Sequence, residues 1–189
     1  MNIDIRSNTD QIIRGLNKFE RRFVPVAMNR SLNEVGRAVN TKVRRSVAND
    51  TGIKVRDLGR EYITQSRSRR NRLRYIITYL KGAVPLKAFN PSQGNKGVTV
   101  RGAWGETQMY PGAFIVDKLG RNVFKRKGPQ RLPIKKMYGP IPAREAASEK
   151  NQRLVQVVVD KELPDKMRKN LEFYIKRALG SIKPPRRGR

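Results

Sequence analysis

GVTVRGAWGETQMYPGAFIVDKLGRNVFK, residues 97–125, is the stretch whose reading decides the fold. Apolar and polar residues alternate there in short runs rich in Val, Ile, Phe, Thr and Tyr. That period-two alternation is the mark of half-buried strands. Glycines at 97, 102, 105, 112 and 120 break the runs at turn-like intervals. The pattern predicts strands over residues 97–101, 105–109, 112–116 and 122–125. Four such strands are too few for a sandwich but enough for one small antiparallel sheet.

Working outward, residues 90–96, NPSQGNK, read as a loop. Upstream, Tyr62, Thr64 and Ser66 alternate with Ile63 and Gln65, and a second alternation runs from Arg72 to Leu80. Both are strand signals, joined by the basic link SRSRRNR, which reads as a hairpin turn or loop. Residues 54–59 read as a short helical turn. Before them the period is helical. Ser7, Thr9 and Asp10 offer N-cap oxygens, followed by Ile12, Ile13, Leu16, Phe19 and Phe23. Pro25 should end or kink that helix. Ala27, Leu32, Val35, Val39, Val43 and Val47 then form the stripe of a long amphipathic helix ending near Asn49–Gly52. The stripe reads as core, with a subunit interface as the other option.

From Ala143 the helical period returns through Ala146, Ala147, Leu154, Val158 and Leu163, although Val157–Val159 also fit a strand. Pro164 suits the first turn of a further helix, which Gly180 ends. The fold class is therefore α+β: long N-terminal helices and C-terminal helices packed on a small, mostly antiparallel β-sheet. The organisation reads as one compact domain with extensions. It has a helical region over 1–52, a β-rich middle over 53–142, C-terminal helices over 143–180 and a basic tail over 181–189.

Charge narrows the function. The 189 residues hold 43 Lys plus Arg against 15 Asp plus Glu, a formal net charge of +28. Residues 1–50 carry +5, 51–81 carry +7, 82–139 carry +9, 140–180 carry +3 and 181–189 carry +4. The excess sits in the β middle and the tail. A polyanion is the physical counterpart, because phosphate neutralisation releases counterions. The sequence has no Cys and no His. That removes thiol nucleophiles, imidazole bases and the usual zinc ligands together. The carboxylates stand among Lys and Arg and read as surface ion pairs, and no phosphate-loop motif occurs. No enzyme, cofactor or metal is expected. No apolar run nears the ~20 residues of a membrane helix, so a soluble protein made in the cytoplasm, with no membrane contact, is expected.

Two basic clusters are candidate nucleic-acid contacts: Arg67, Arg69, Arg70, Arg72 and Arg74, and Lys125, Arg126 and Lys127. The tail adds Lys183, Arg186, Arg187 and Arg189. Arginine forks suit phosphate oxygens. No base-reading motif or aromatic platform accompanies them, so contact would be with backbone and independent of sequence. A solvated charged loop is the plainer reading of the same residues. The segment Arg131–Pro140, RLPIKKMYGP, differs in kind. Pro133, Gly139 and Pro140 stiffen it, and Leu132, Ile134, Met137 and Tyr138 supply apolar anchors. It reads as an extended arm or edge strand for a neighbouring subunit, or as an ordered internal loop.

VPLKAF (84–89), PGAFIV (111–116), NVFKRKG (122–128) and RLPIKKMYGP occur in that order at short intervals. Together they resemble the minor tail protein Z family of tailed phages and prophages, over nearly the whole chain. The resemblance implies a structural virion protein without catalytic residues. It would act in tail completion and head–tail joining, at the head-proximal end of the tail. It also implies a likeness to tail-completion and connector proteins that form homo-oligomeric rings around the DNA channel. The implied partners are the tail terminator protein, the head–tail connector and the phage DNA end, with the tail tube and tape-measure protein as further neighbours. A free, non-specific DNA-binding or packaging protein is the competing reading, and a phage nuclease a second one.

Overall fold

The computed structural model describes residues 6–180, and side chains over residues 21–177. The order is α1 (Arg6–Thr51), β1 (Ile63–Ser66), β2 (Ile76–Tyr79), β3 (Ser92–Gly94), β4 (Gly97–Ala103), β5 (Glu106–Pro111), β6 (Ala113–Val116), β7 (Asn122–Arg126), β8 (Ile134–Lys136), α2 (Pro142–Ala146) and α3 (Glu149–Gly180). The class is α+β. The β part is three small antiparallel sheets, β1–β2, β3–β4–β5 and β6–β7–β8, where a single sheet was expected. The glycine turns that cut the runs explain this, because each short run closes with its own neighbour and stops.

The four strands read from residues 97–125 all form. The region read as a loop contains β3, whose Ser92, Gln93 and Gly94 pair with Thr99, Val98 and Gly97. Backbone pairing recruits it, helped by the Gln93 Oε1 that accepts from Ile115 N–H at 2.8 Å, since none of the three side chains is apolar. The short turn at Val55–Asp57 is a 3-10 helix. Pro25 does not end its helix: α1 runs unbroken for 46 residues. Pro164 lies inside the 32-residue α3 instead of opening a new helix. Val157–Val159 are helical. An interior proline costs about 3 kcal/mol through one lost hydrogen bond and a ring clash. Around Pro25 packing offsets this: Phe23 stacks on Tyr174 with centroids 6.1 Å apart, and Ala27 is fully buried. Around Pro164, Val158 and Asn170 are both buried.

Contacts divide the chain into two compact units. The first takes the described residues up to Val39, Ser66–Ile76, and those from Val157. Ala27, Ser31, Val35 and Val39 of α1 are buried in it. Ser31 Oγ donates to Ala27 O at 2.9 Å and accepts from Asn170 Nδ2 of α3 at 2.9 Å. Glu34 accepts from Arg30 at 3.1 Å and lies 3.6 Å from Lys166.

The second unit takes Asn40–Gln65 and Ile77–Gln156. Its core joins Val43 and Val47 of α1 to Leu58, Leu86, Val98, Val100 and Val123. Arg44 Nη2 donates to Val55 O and Leu58 O, both at 2.8 Å, and so ties the loop after α1 to the helix. Lys150 Nζ reaches both Asp50 oxygens at 2.6 and 2.7 Å. At the end of α1, Gly52 has φ +71°, and a Cβ there would overlap Gly102 O of β4. Trp104 N–H donates to Thr51 O at 2.9 Å. Gly52 thus serves both as the left-handed helix terminator and as the point of closest backbone approach.

Two predictions follow from this packing. Gly52→Ala should lower stability by about 2–5 kcal/mol, since it adds both a disfavoured φ and a clash; urea unfolding measures it. Tyr79 OH is buried without a hydrogen-bond partner. Burial pushes the hydroxyl up from 10.0 to about 12, against a lowering by Arg44. Below pH 10 folded and unfolded chains both keep the proton. Between 10 and about 12 the unfolded chain releases it first, so this contribution to stability is lost as pH rises. Tyr79→Phe should leave stability at pH 7 unchanged or higher and flatten its alkaline fall, read from melting temperatures across pH.

Candidate functional site

The basic link between β1 and β2 is a tight turn on a helical scaffold, inside the first unit. Arg69 and Arg72 exchange N–H···O bonds at 3.0 Å each way, with Arg70 and Asn71 between them. Ser68 is buried and carries the attachment. Its N–H donates to Asn33 Oδ1 at 3.0 Å, and its carbonyl accepts from Asn33 Nδ2 at 3.1 Å. One amide side chain of α1 thus imitates a strand partner. Ser68 Oγ also donates to Arg72 O at 3.4 Å. On the far side of the turn, the Tyr75 ring occupies the space a Cβ on Gly36 would fill. Only glycine at 36 lets the ring lie against α1.

Arg67, Arg69, Arg70, Arg72 and Arg74 are all exposed. None of them is in an ion pair. Elsewhere cations do find carboxylates: Arg153 with Glu149 at 3.3 Å, Arg168 with Asp165 at 2.8 Å, Arg121 with Asp117 at 3.4 Å. Exposed pairs of this sort contribute little to stability. The arginines of the 67–74 turn have no such partner and stay open to another anion.

The second cluster lies in the other unit, on the β7–β8 hairpin. Lys125 stands directly opposite Lys135 in the register. Like charges so placed repel. Arg126 lies 5.8 Å over the Phe114 ring and Lys136 5.4 Å over Tyr138. Lys127 N–H donates to Pro133 O at 3.1 Å and closes the hairpin. Lys125, Arg126, Lys127, Arg131 and Lys135 are exposed. No acidic residue lies between Asp117 and Glu145 to balance them. Lys183, Arg186, Arg187 and Arg189 fall outside the described residues.

The RLPIKKMYGP segment contains β8, an edge strand as the sequence allowed. It is also clasped to its own unit, as an internal loop would be. Met137 N–H donates to Val123 O at 2.8 Å, Gly139 N–H to Val84 O at 2.7 Å, and Val84 N–H to Pro140 O at 3.0 Å. The Leu132–Pro133 bond is cis. Pro140 is buried, and Ile134, Met137 and Gly139 are half-buried. Leu132 and Tyr138 stand out at 64 % and 50 % exposure. These two are the exposed large apolar side chains of the segment.

The sequence did not single out Asn33 or Gly36, because their partners lie far along the chain, 35 residues away for Asn33 and Ser68. It also passed over Trp104, the one tryptophan, which is 45 % exposed at φ +56° in the β4–β5 turn. Its signal was a bulky residue before glycine in a two-residue turn, where Asn or Asp is the usual choice.

Among the described residues, no group of three or more His, Cys, Asp or Glu could hold a metal ion, and no helix is long and apolar enough to cross a membrane. The site can bind anions through charge and hold an apolar partner through the arm. Asn33→Ala should cost about 1–3 kcal/mol by leaving the buried Ser68 amide and carbonyl unpaired. Hydrogen exchange of residues 66–76 should rise locally before any global loss of fold.

Neither a curated protein nor a solved structure matches the chain. The family model described as prophage minor tail protein Z matches residues 8–180, and the chain belongs to that family of phage tail structural proteins.

Proposed function

We propose that this tail protein completes the head-proximal end of the tail as a subunit of a ring around the DNA channel. There it holds the DNA by its phosphates. The observation that carries the DNA contact is the Arg69–Arg72 turn: five exposed arginines in residues 67–74, without a carboxylate partner, on a turn fastened by Asn33 and Gly36. A channel protein must hold DNA after packaging and let it run at ejection. Diffuse backbone contacts do both, since they are strong in sum and indifferent to sequence. Fixing the turn keeps the cations at one place without the entropy cost of ordering a free loop.

The β7–β8 cations and the tail residues Lys183, Arg186, Arg187 and Arg189 are additional contacts in this reading. The tail terminator protein and the head–tail connector are the protein neighbours, with the tail tube and tape-measure protein beyond them. The arm and the helical surfaces, where charge is nearer balance, meet those proteins. The expected activity is binding alone, without catalysis or cofactor.

Replacing Arg67, Arg69, Arg70 and Arg72 with Ser in the phage tests the reading. Tails should still assemble, and joined particles should leak DNA. In vitro, the slope of log affinity against log salt should shrink by about 3–4 if each arginine meets one phosphate. Unchanged DNA retention in joined particles would remove these arginines from the channel.

A further inference from the structure

We infer that the outer edge of β5 and the outer edge of β8 are two halves of one joint, through which a second copy of this chain is added by strand pairing. The inference rests on the ring reading above and names the contact that would close it.

Edge strands normally carry protection: charge, proline, a bulge or a cover. β5 has little. Its six residues include one charge, Glu106, and no proline before Pro111. Its ladder with β4 is continuous from Gly97↔Pro111 to Arg101↔Thr107. Gly112 N–H donates to Lys96 O at 3.1 Å, which fixes the phase of that ladder. In an antiparallel pair alternate opposite residues exchange both bonds. Val98 with Tyr110 and Val100 with Gln108 are then the bonded pairs. Thr107 and Met109 turn their N–H and C=O outward. Met109 is 53 % exposed.

Trp104 marks the same edge. Trp104 and Gly105 are the two turn residues, with φ +56° and +75°. A bulky side chain in that region is strained, and such strain persists where the surroundings enforce it. Here Thr51 O and Gly52 enforce it from the end of α1. The result is a tryptophan with a fixed backbone and an exposed side chain beside an open edge. Tryptophan in that position is the residue type most often found at the energetic centre of protein interfaces.

β8 supplies the complement. Lys127 N–H to Pro133 O and Met137 N–H to Val123 O set its phase against β7. Ile134 and Lys136 therefore face outward, with two free backbone positions to match two on β5. The charges are opposite: Glu106 on one edge, Lys135 and Lys136 on the other. An antiparallel joint with Thr107 against Lys136 and Met109 against Ile134 brings Glu106 diagonal to Lys135. It also sets Trp104 toward Tyr138, and Pro111 opposite Leu132, the exposed anchors of the arm. The two edges belong to different strands, so the contact is head-to-tail, the kind that generates rings.

The test is sedimentation velocity of the full chain over a concentration series, with emission of Trp104, the only tryptophan, read in parallel. Wild type should associate as its emission moves to the blue. Met109→Pro removes an outward N–H without touching the β4 ladder, and should abolish association with melting unchanged. Lys135→Glu should weaken association roughly tenfold by setting like charges together. The double exchange Glu106→Lys with Lys135→Glu should restore it. If Met109→Pro fails to fold, the charge exchange decides alone. A wild type that stays monomeric at every concentration overturns the joint, as does association that the variants or Trp104 do not register. The tail-completion reading fails separately, if phage lacking the chain still form joined particles that retain DNA.

Discussion

A row of small side chains on α1 is the constraint on which both units depend. Ala27, Ser31, Val35, Val39, Val43, Val47 and Thr51 recur every four residues, and all are buried. A four-residue step overshoots the 3.6-residue turn, so the buried row winds around the helix. Large residues there would hold neighbouring chain away. Small ones let it approach to backbone distance. Ser31 accepts from Asn170 of α3. Gly36 admits the Tyr75 ring, and Gly52 meets the Gly102 carbonyl. The β-branched valines also lose less rotamer freedom on burial than longer apolar chains.

From that row the placement of charge follows. Some helical arginines pair with helical carboxylates at three- or four-residue spacing, as Arg153–Glu149 and Arg168–Asp165 do, while Arg45 and Arg144 have no such pair among the described residues. The arginines of residues 67–74 lack such neighbours, whereas Arg121 after β6 pairs with Asp117 at 3.4 Å. The open cluster at residues 67–74 is therefore a property of that turn, not of turns in general.

Strain is placed in the same economical way. Among the described residues, three other than glycine hold positive φ, Asn90, Trp104 and Arg121. Asn90 closes the Leu86–Phe89 turn and Arg121 follows Gly120 at a turn, both ordinary uses. Trp104 is different, since tryptophan has no local hydrogen bond to gain there and stays exposed. Its conformation is fixed by α1, not by its own preference.

The sequence alone established the α+β class, the helical character of the two ends, strands at β1, β2 and β4 to β7, the short turn after α1 and the edge strand in RLPIKKMYGP. Those features are local: alternation, glycine spacing and charge density act over a few residues. The family was legible for a similar reason, through four short motifs kept in order. Tertiary structure alone decided the rest. Pro25 and Pro164 stay inside helices because packing outweighs a local penalty of about 3 kcal/mol each. Ser92–Gly94 becomes a strand because β4 offers an edge. The basic cluster at 67–74 was visible from composition, but a free loop and a fastened turn have the same composition. What separates them is Asn33 holding Ser68 from 35 residues away. Such a contact depends on chain closure, and no window of sequence contains it.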